Sequence, residues 1–381
     1  MNLTTLLLVA GGALAVGAAG IGTVSVLSTA GPLAQPGPPT VVMESPTSQM
    51  PPTPTPPPAR DAVVATIAGG PALKGPSTDG PPDVARFGEP GGVALGTDGS
   101  IYVADFANRV ILRIDSSGNT ERIAGSGGEG TADGPALSAQ FTGPTWLAVD
   151  SKGTIYVSDG VAHRIRKVEA GVVTTLAGGG PVGLSEGSFS EGTGADARFD
   201  AAAGLAIDAL GNLIVADYNN NRIRRVTPSG EVTTIAGTGE SGHADGPALE
   251  AKFNFPAAVA LGPDGSIYVT EHGNNDIRRI TPDGQVETVL PYEYERLHHP
   301  SGIAVASDGT IYLADTGGAR LLELGIDGSF RVVAGTGSPG FADGPGRTAQ
   351  LDTPAQLEWV APGTLFFADK ANAAVRKVDL R

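Results

Sequence analysis

The 381-residue chain has no cysteine. This excludes disulfide staples, thiolate metal sites and a cysteine nucleophile. Aromatic residues are sparse, at 5%, and basic residues are outnumbered 25 to 40 by acidic ones, for a formal net charge of −15. Nonspecific nucleic-acid binding depends on neutralising phosphates, so no nucleic-acid partner is expected. There is no Walker loop. The Gly-rich stretches Gly125–Gly130 and Gly178–Gly183 lack the following Lys-Ser/Thr of a phosphate cradle. What is abundant is Gly (56) and Pro (30), alongside 40% hydrophobic residues. That combination suits a fold of many turns with a filled core and disfavours both a helical bundle and low-complexity disorder.

A single long apolar run, Leu6 to Val26, opens the chain, with no Lys or Arg before it. About 20 such residues suffice to cross a bilayer, and Ser28 and Ala30 are placed for cleavage after Ala30. Residues 1–31 therefore read as a signal peptide or an N-terminal membrane anchor. The protein is expected outside the cytoplasm, anchored by residues 6–28 or secreted after cleavage near Ala30, and touching membrane only through this segment. Residues 32–60, with PPTPTPPP at Pro51–Pro58, read as an extended Pro/Thr-rich disordered linker. Residues 61–381 form the remaining domain.

That domain repeats itself. GLAIDALGNLIVADYNNNRIRRV, from Gly204 to Val226, holds three short β-branched strands separated by turns, and EVTTIA (Glu231–Ala236) follows as a fourth. Related stretches begin at Gly92, Leu147, Ala258, Gly302 and Gln356. An acidic residue closing the second strand marks the register in every copy: Asp105, Asp159, Asp217, Glu271, Asp315 and Asp369, spaced 54, 58, 54, 44 and 54 apart. Four strands at this period predict propeller blades. The sixth copy ends at Val378 without a fourth strand, whereas AVVATIAGG (Ala62–Gly70) stands alone after the linker. The N-terminal strand, about residues 62–69, is thus expected to complete the last blade. The fold class is all-β, a six-bladed β-propeller of four-stranded antiparallel blades. Its ring is expected to close without a free edge.

The pattern Gly-x-Ala-Val-Asp, then Gly-x-Ile-Tyr-Val-Ala-Asp, then Asn-x-Arg-Ile resembles the NHL repeat family of six-bladed propellers and spans residues 62–381. The resemblance implies a binding or scaffold role in some members, RNA binding in others, and zinc-dependent lyase chemistry in the peptide-amidating relatives. Those lyases place a His directly after the Pro that opens the first strand. Here Gly91, Thr145, Ala257, Ser301 and Ala355 hold that place. The lactonase-like propellers use carboxylates and Asn around the channel, where this chain offers Glu358.

Long loops fall on one face of the predicted propeller and tight turns such as TPSG and TPDG on the other, so contact residues are expected on the long-loop face. The candidates there are Arg109, His163, Arg164, Tyr218, Asn221, Arg222, Asn275, His298 and His299. Glu358, His298 and His299 are weak metal candidates, since a zinc site needs about three converging ligands. His243 and His272 complete the five histidines. The strand-end carboxylates recur in every copy, which argues for architecture: they are expected to bind backbone N–H groups of the following loop or the Arg of the third strand. The recurring Asp-Gly-Pro lacks the ligand run of a calcium loop and reads as a turn before a short helical segment and a plugging Phe. No catalytic residue and no cofactor are assigned. The expectation is a monomeric, non-enzymatic module that binds a protein, peptide or glycan. The alternative is a lyase or lactonase-like hydrolase using Zn or Ca in the channel.

Overall fold

The computed structural model describes residues 61–290 and 297–380. The predicted apolar segment and linker lie outside the described residues, and no helix among those described is long and apolar enough to cross a membrane. The described chain forms six antiparallel sheets with essentially no helix beyond three single-turn 3-10 segments. In blade three the strands are Ala202–Ile207, Leu213–Asp217, Arg222–Val226 and Glu231–Ala236, from the channel outward. The β-branched and Leu residues alternate so that each sheet buries both faces against its neighbours. Ala94, Ile111, Phe141, Leu147, Val157 and Val173, for example, fill the junction of blades one and two. Each large side chain so buried contributes on the order of 2 kcal/mol.

Blade six closes as expected. The strand Ala62–Gly69 pairs antiparallel with Ala374–Leu380, with Val64 opposite Val378. The plugging Phe residues also sit as expected: Phe87, Phe141, Phe199 and Phe253 are fully buried, and Leu297 and Leu351 take their place in blades five and six.

Two expectations are corrected. First, most of the blades have more than four strands. In four blades a two-residue segment of the preceding loop, such as Gly134–Pro135, adds a fifth strand outside the fourth, and in blade one Gly80 bridges to Thr120. The sheet of blade five, with Phe330–Ala334 as its fourth strand, has four strands. Second, the strand-end carboxylates reach backward rather than into the following loop's backbone alone. Each accepts the N–H of the residue 17 positions earlier, in the loop that enters its own blade: Asp105 from Gly88 (2.8 Å), Asp217 from Asp200 (2.8 Å), Glu271 from Asn254 (2.6 Å) and Asp369 from Asp352 (2.8 Å). Asp159 does so with Thr142 and Asp315 with His298. The third-strand Arg seven positions later completes the site in four blades, as Arg166, Arg224, Arg278 and Arg376, all fully buried. Leu112 and Leu322 stand there in blades one and five. A charged group this deep is tolerable because it is paired with the opposite charge and with backbone carbonyls, as Arg376 is with Asp369, Gln350 O and Ala342 O.

Candidate binding surface at the channel mouth

The residue after each strand-end carboxylate lies at the mouth of the channel, because its backbone is bonded to the residue that precedes the innermost strand. Phe106 N–H donates to Glu89 O (3.0 Å), His272 N–H to Phe255 O (3.0 Å) and Lys370 N–H to Thr353 O (3.3 Å). The series reads Phe106, Gly160, Tyr218, His272, Thr316, Lys370 around the ring. These six residues differ where the scaffold beneath them repeats.

Blades three to five build an aromatic arc. Tyr218 stacks on Phe255 at 5.1 Å between centroids, meets His272 edge-on at 5.6 Å, and His272 meets His299 at 5.8 Å. Tyr218 Oη and His272 Nδ1 share a hydrogen bond of 3.2 Å. His272 is 8% exposed, and its Nε2 is buried with no partner among the described residues. Burial, with a smaller push from His299, lowers the His272 imidazole to about 3, so it is neutral. Desolvation pushes the Tyr218 hydroxyl up. The hydroxyls of Ser301 and Thr316 are bonded to each other, and Thr316 also donates to Pro354 O at 2.6 Å. Across the mouth, the buried Lys370 amine lies 5.4 Å from the Phe106 ring centre. Desolvation lowers it to about 8, against the pull of Glu89. The mouth therefore joins a packed aromatic cluster on one side, with His299 at its exposed end, to a buried amine on the other.

The channel beneath is pinched. Gln356 in blade six reaches over Gly92 of blade one to blade two, accepting Leu147 N–H at 3.1 Å and donating to Leu147 O at 2.8 Å. At Gly204 a Cβ would collide with the Ala258 backbone. Glu358 lies further down, recessed and without a hydrogen-bond or ion-pair partner among the described residues, and burial alone lifts its carboxyl to about 7. The five other blades carry Ala94, Ala148, Ala206, Ala260 and Ala304 at its position.

The sequence candidates are dispersed around the ring. Arg109, His163, Asn221 and Asn275 occupy one equivalent position in blades one to four, each with φ between 50° and 57°. Three of them tie their blade to the next: His163 Nδ1 accepts Ala201 N–H (3.0 Å), Asn221 Oδ1 accepts Phe255 N–H (2.9 Å) and Asn275 Oδ1 accepts His299 N–H (2.7 Å). His163 is buried and its Nε2 lies 2.7 Å from Gly183 O. Arg109 pairs with Glu129 at 2.8 Å. Arg164 donates to Ala162 O and Gly180 O. Arg222 donates to Thr238 O and lies 3.9 Å from the Phe189 ring centre. His298 is exposed, with Nδ1 3.9 Å from Asp315, and His243 pairs with Asp276 at 2.9 Å. Tyr218 and His299 do converge, together with His272 and Phe255, while Lys370 and Phe106 meet across the mouth; composition and spacing did not single out these last four. For Phe106, His272 and Lys370 the one signal was their fixed place next to the register carboxylate. No three His, Asp or Glu side chains among the described residues are arranged to hold a metal ion.

This is a six-bladed β-propeller with a variable, partly aromatic mouth over a repeated scaffold. The particular kind is shown by comparison: the chain carries NHL repeats. The NHL repeat model matches residues 199–226 and 297–323, and the model of the teneurin NHL domain matches residues 238–298. Mouse teneurin-3 is 27% identical over 320 residues, covering 74% of this chain and 10% of its own length. Protein SUPPRESSOR OF QUENCHING 1 of Arabidopsis thaliana is 31% identical over 157 residues, covering 38% of this chain and 14% of its own. The chain thus spans about a tenth to a seventh of these curated relatives. Among solved structures, a streptogramin B lyase superposes with a TM-score of 0.54 at 18% identity, covering 84% of this chain and 98% of that one, which shows the shared fold.

Proposed function

We propose that this protein is a non-enzymatic binding module, displayed outside the cytoplasm by its N-terminal segment, that engages a protein, peptide or glycan at the channel mouth. The observation that carries the reading is the neutral His272, buried beside Tyr218 and His299 with its Nε2 unpartnered among the described residues. A buried polar atom without a partner costs about 1–3 kcal/mol, a cost that a bound ligand would remove. Flat aromatic faces flanked by a few polar groups suit sugars and peptide side chains. Teneurin NHL domains, which this chain resembles, support a binding role by analogy alone. Screening the purified protein on immobilised peptide and glycan arrays tests the reading. Hits should weaken at least tenfold in Tyr218→Ala and His299→Ala and be unchanged in Lys152→Ala on the opposite face. Equal losses in all three, or in none, would overturn it.

Glu358 favours a second reading. A lone carboxyl raised to about 7 could serve as a general acid or base in a lyase or lactonase-like reaction with bound zinc or calcium. Elemental analysis of the purified protein, with Glu358→Gln as the control, separates the two.

A further inference from the structure

His163 is bonded through both ring nitrogens, and each bond goes to the loop that enters the next blade. Nδ1 lies 3.0 Å from Ala201 N and Nε2 lies 2.7 Å from Gly183 O. A backbone N–H only donates and a carbonyl only accepts, so these partners fix the tautomer: Nδ1 is bare and Nε2 carries the hydrogen. Asn221 repeats the pattern one blade on. Its Oδ1 accepts Phe255 N–H at 2.9 Å and its Nδ2 reaches Gly239 O at 3.4 Å. The amide does this without a titratable proton, whereas an imidazole takes up one more in mild acid.

The loop that His163 holds is the longest of the entering loops. Gly178 to Phe199 runs 22 residues, against 17 for Gly125–Phe141 and for Gly237–Phe253. The extra length forms a strap, Gly179–Gly187, seated on blade two. Gly183 N–H donates to Val161 O at 3.1 Å, so both backbone groups of this one residue are held by the loop Gly160–His163. The φ of Gly183 is 140°, a conformation that suits glycine. Arg164 holds Gly180 O at 3.2 Å. At the far end Gly187 abuts Asp200, where a Cβ would fall on the carboxylate. Asp200 Oδ1 lies 3.9 Å from His163 Nδ1 and accepts from Asn219 Nδ2 at 2.9 Å. The strap is thus pinned at both ends over a His–Asp pair, while Val182, Ser185 and Glu186 on it are exposed. It borders the channel mouth, because Val161 follows the mouth residue Gly160 and a Cβ at Gly143 would touch both Val161 and Phe106.

We propose that His163 is a pH-sensitive latch: its neutral ring holds the strap Gly179–Gly187 on the blade-two rim of the mouth, and its protonated ring releases it. Protonation places an N–H on Nδ1, facing the N–H of Ala201, so that two donors meet. The ring then gains by turning to Asp200, and a turn that closes the 3.9 Å gap draws Nε2 away from Gly183 O. The proton is held more tightly in the released arrangement, so acid shifts the population towards it. The other charged groups on the surrounding elements are engaged elsewhere or lie in solvent. Asp159 accepts from Gly143 N–H and pairs with Arg166, which also pairs with Asp133. Arg164 donates to Ala162 O and Gly180 O, Arg198 donates to Ala197 O, and Glu186 is exposed. The latch is read without any ligand, so its test stands apart from the binding role of the mouth.

The chain has no cysteine, so Ser185→Cys carries a single nitroxide spin label on the strap. The electron paramagnetic resonance spectrum of the full labelled chain is compared at pH 8 and pH 5, on either side of the ordinary imidazole range. The label should be largely immobilised at pH 8, and its mobile fraction should rise at least threefold at pH 5 with near-UV circular dichroism unchanged. His163→Asn, which installs the side chain that blades three and four use, should abolish the pH response. Asp200→Asn, which removes the group that receives the protonated ring, should move the midpoint to lower pH, and it keeps the test valid if His163→Asn fails to fold. A label unaltered between the two pH values, a response that persists in His163→Asn, or a midpoint unmoved in Asp200→Asn overturns the proposal.

Discussion

The side chain of Asn275 accepts the backbone N–H of His299 at 2.7 Å and so ties blade four to blade five. His163 with Ala201 and Asn221 with Phe255 repeat the tie at the two preceding junctions. Asn275→Ala should lose about 1 kcal/mol in urea unfolding, the net worth of one hydrogen bond. Backbone strain adds little, since Ala319 and Ala373 already hold the same left-handed conformation in blades five and six. A loss above about 3 kcal/mol would mean the tie has a larger role than its geometry implies.

Arg376 joins Asp369 at 2.6 Å and Asp343 at 2.7 Å, with no exposed surface of its own. Arg376→Met leaves the buried Asp369 uncompensated and should cost about 3–5 kcal/mol. The double change with Asp369→Leu should recover part of that loss. Chemical denaturation of the three variants measures it.

Asp276 is a buried acidic residue where other blades carry Arg, Val or Ala. Desolvation first, and repulsion from Glu271 second, hold its carboxyl above the ordinary range, with Arg278 acting against them. Asp245 adds repulsion, and His243 lies 2.9 Å away. The folded state therefore keeps a proton that the unfolded chain releases near pH 4, so this residue's contribution to stability falls as pH rises above that point. Asp276→Asn should raise the Tm, by more at pH 8 than at pH 5. An equal shift at both values would refute the assignment.

Lys370 should titrate near pH 8, followed by the ¹³Cε shift of its side chain, because burial disfavours the ammonium. Its folded value lies below the unfolded one of about 10.4, so its contribution to stability grows between pH 8 and 10.4 and is lost as pH falls. Lys370→Met should flatten the stability profile across that window.

Removal of residues 1–69 deletes the outer strand of blade six, which pairs with Ala374–Leu380 and packs Ala62 and Val64 against Val333 and Leu357. Cooperative unfolding should be lost or the melting temperature should drop by more than 10 °C. Removal of residues 1–60 alone should leave both unchanged.

Most of the scaffold was legible along the chain because its repeat unit is local. Asp217, with its strand before and Arg224 seven positions after, recurs often enough to set register, blade number and the displaced closing strand. The strand-end carboxylates were recognised as scaffold, but their partners 17 positions back were not, since the loop between has to fold first. Asn221 and Asn275 looked like contact residues because they vary between copies. In fact they face backbone in the next blade, 34 and 24 residues on. His272 and Lys370 gave no local signal beyond their place next to the register carboxylate, as their neutrality and depressed basicity come from burial at the mouth.

The sequence by itself determined an all-β ring of six NHL-type blades closed by its own N-terminal strand, because hydrophobic alternation and turn residues act over a few positions. The tertiary structure alone decided which polar groups are clasps and which meet at the mouth. Those depend on side chains from different blades meeting in three dimensions.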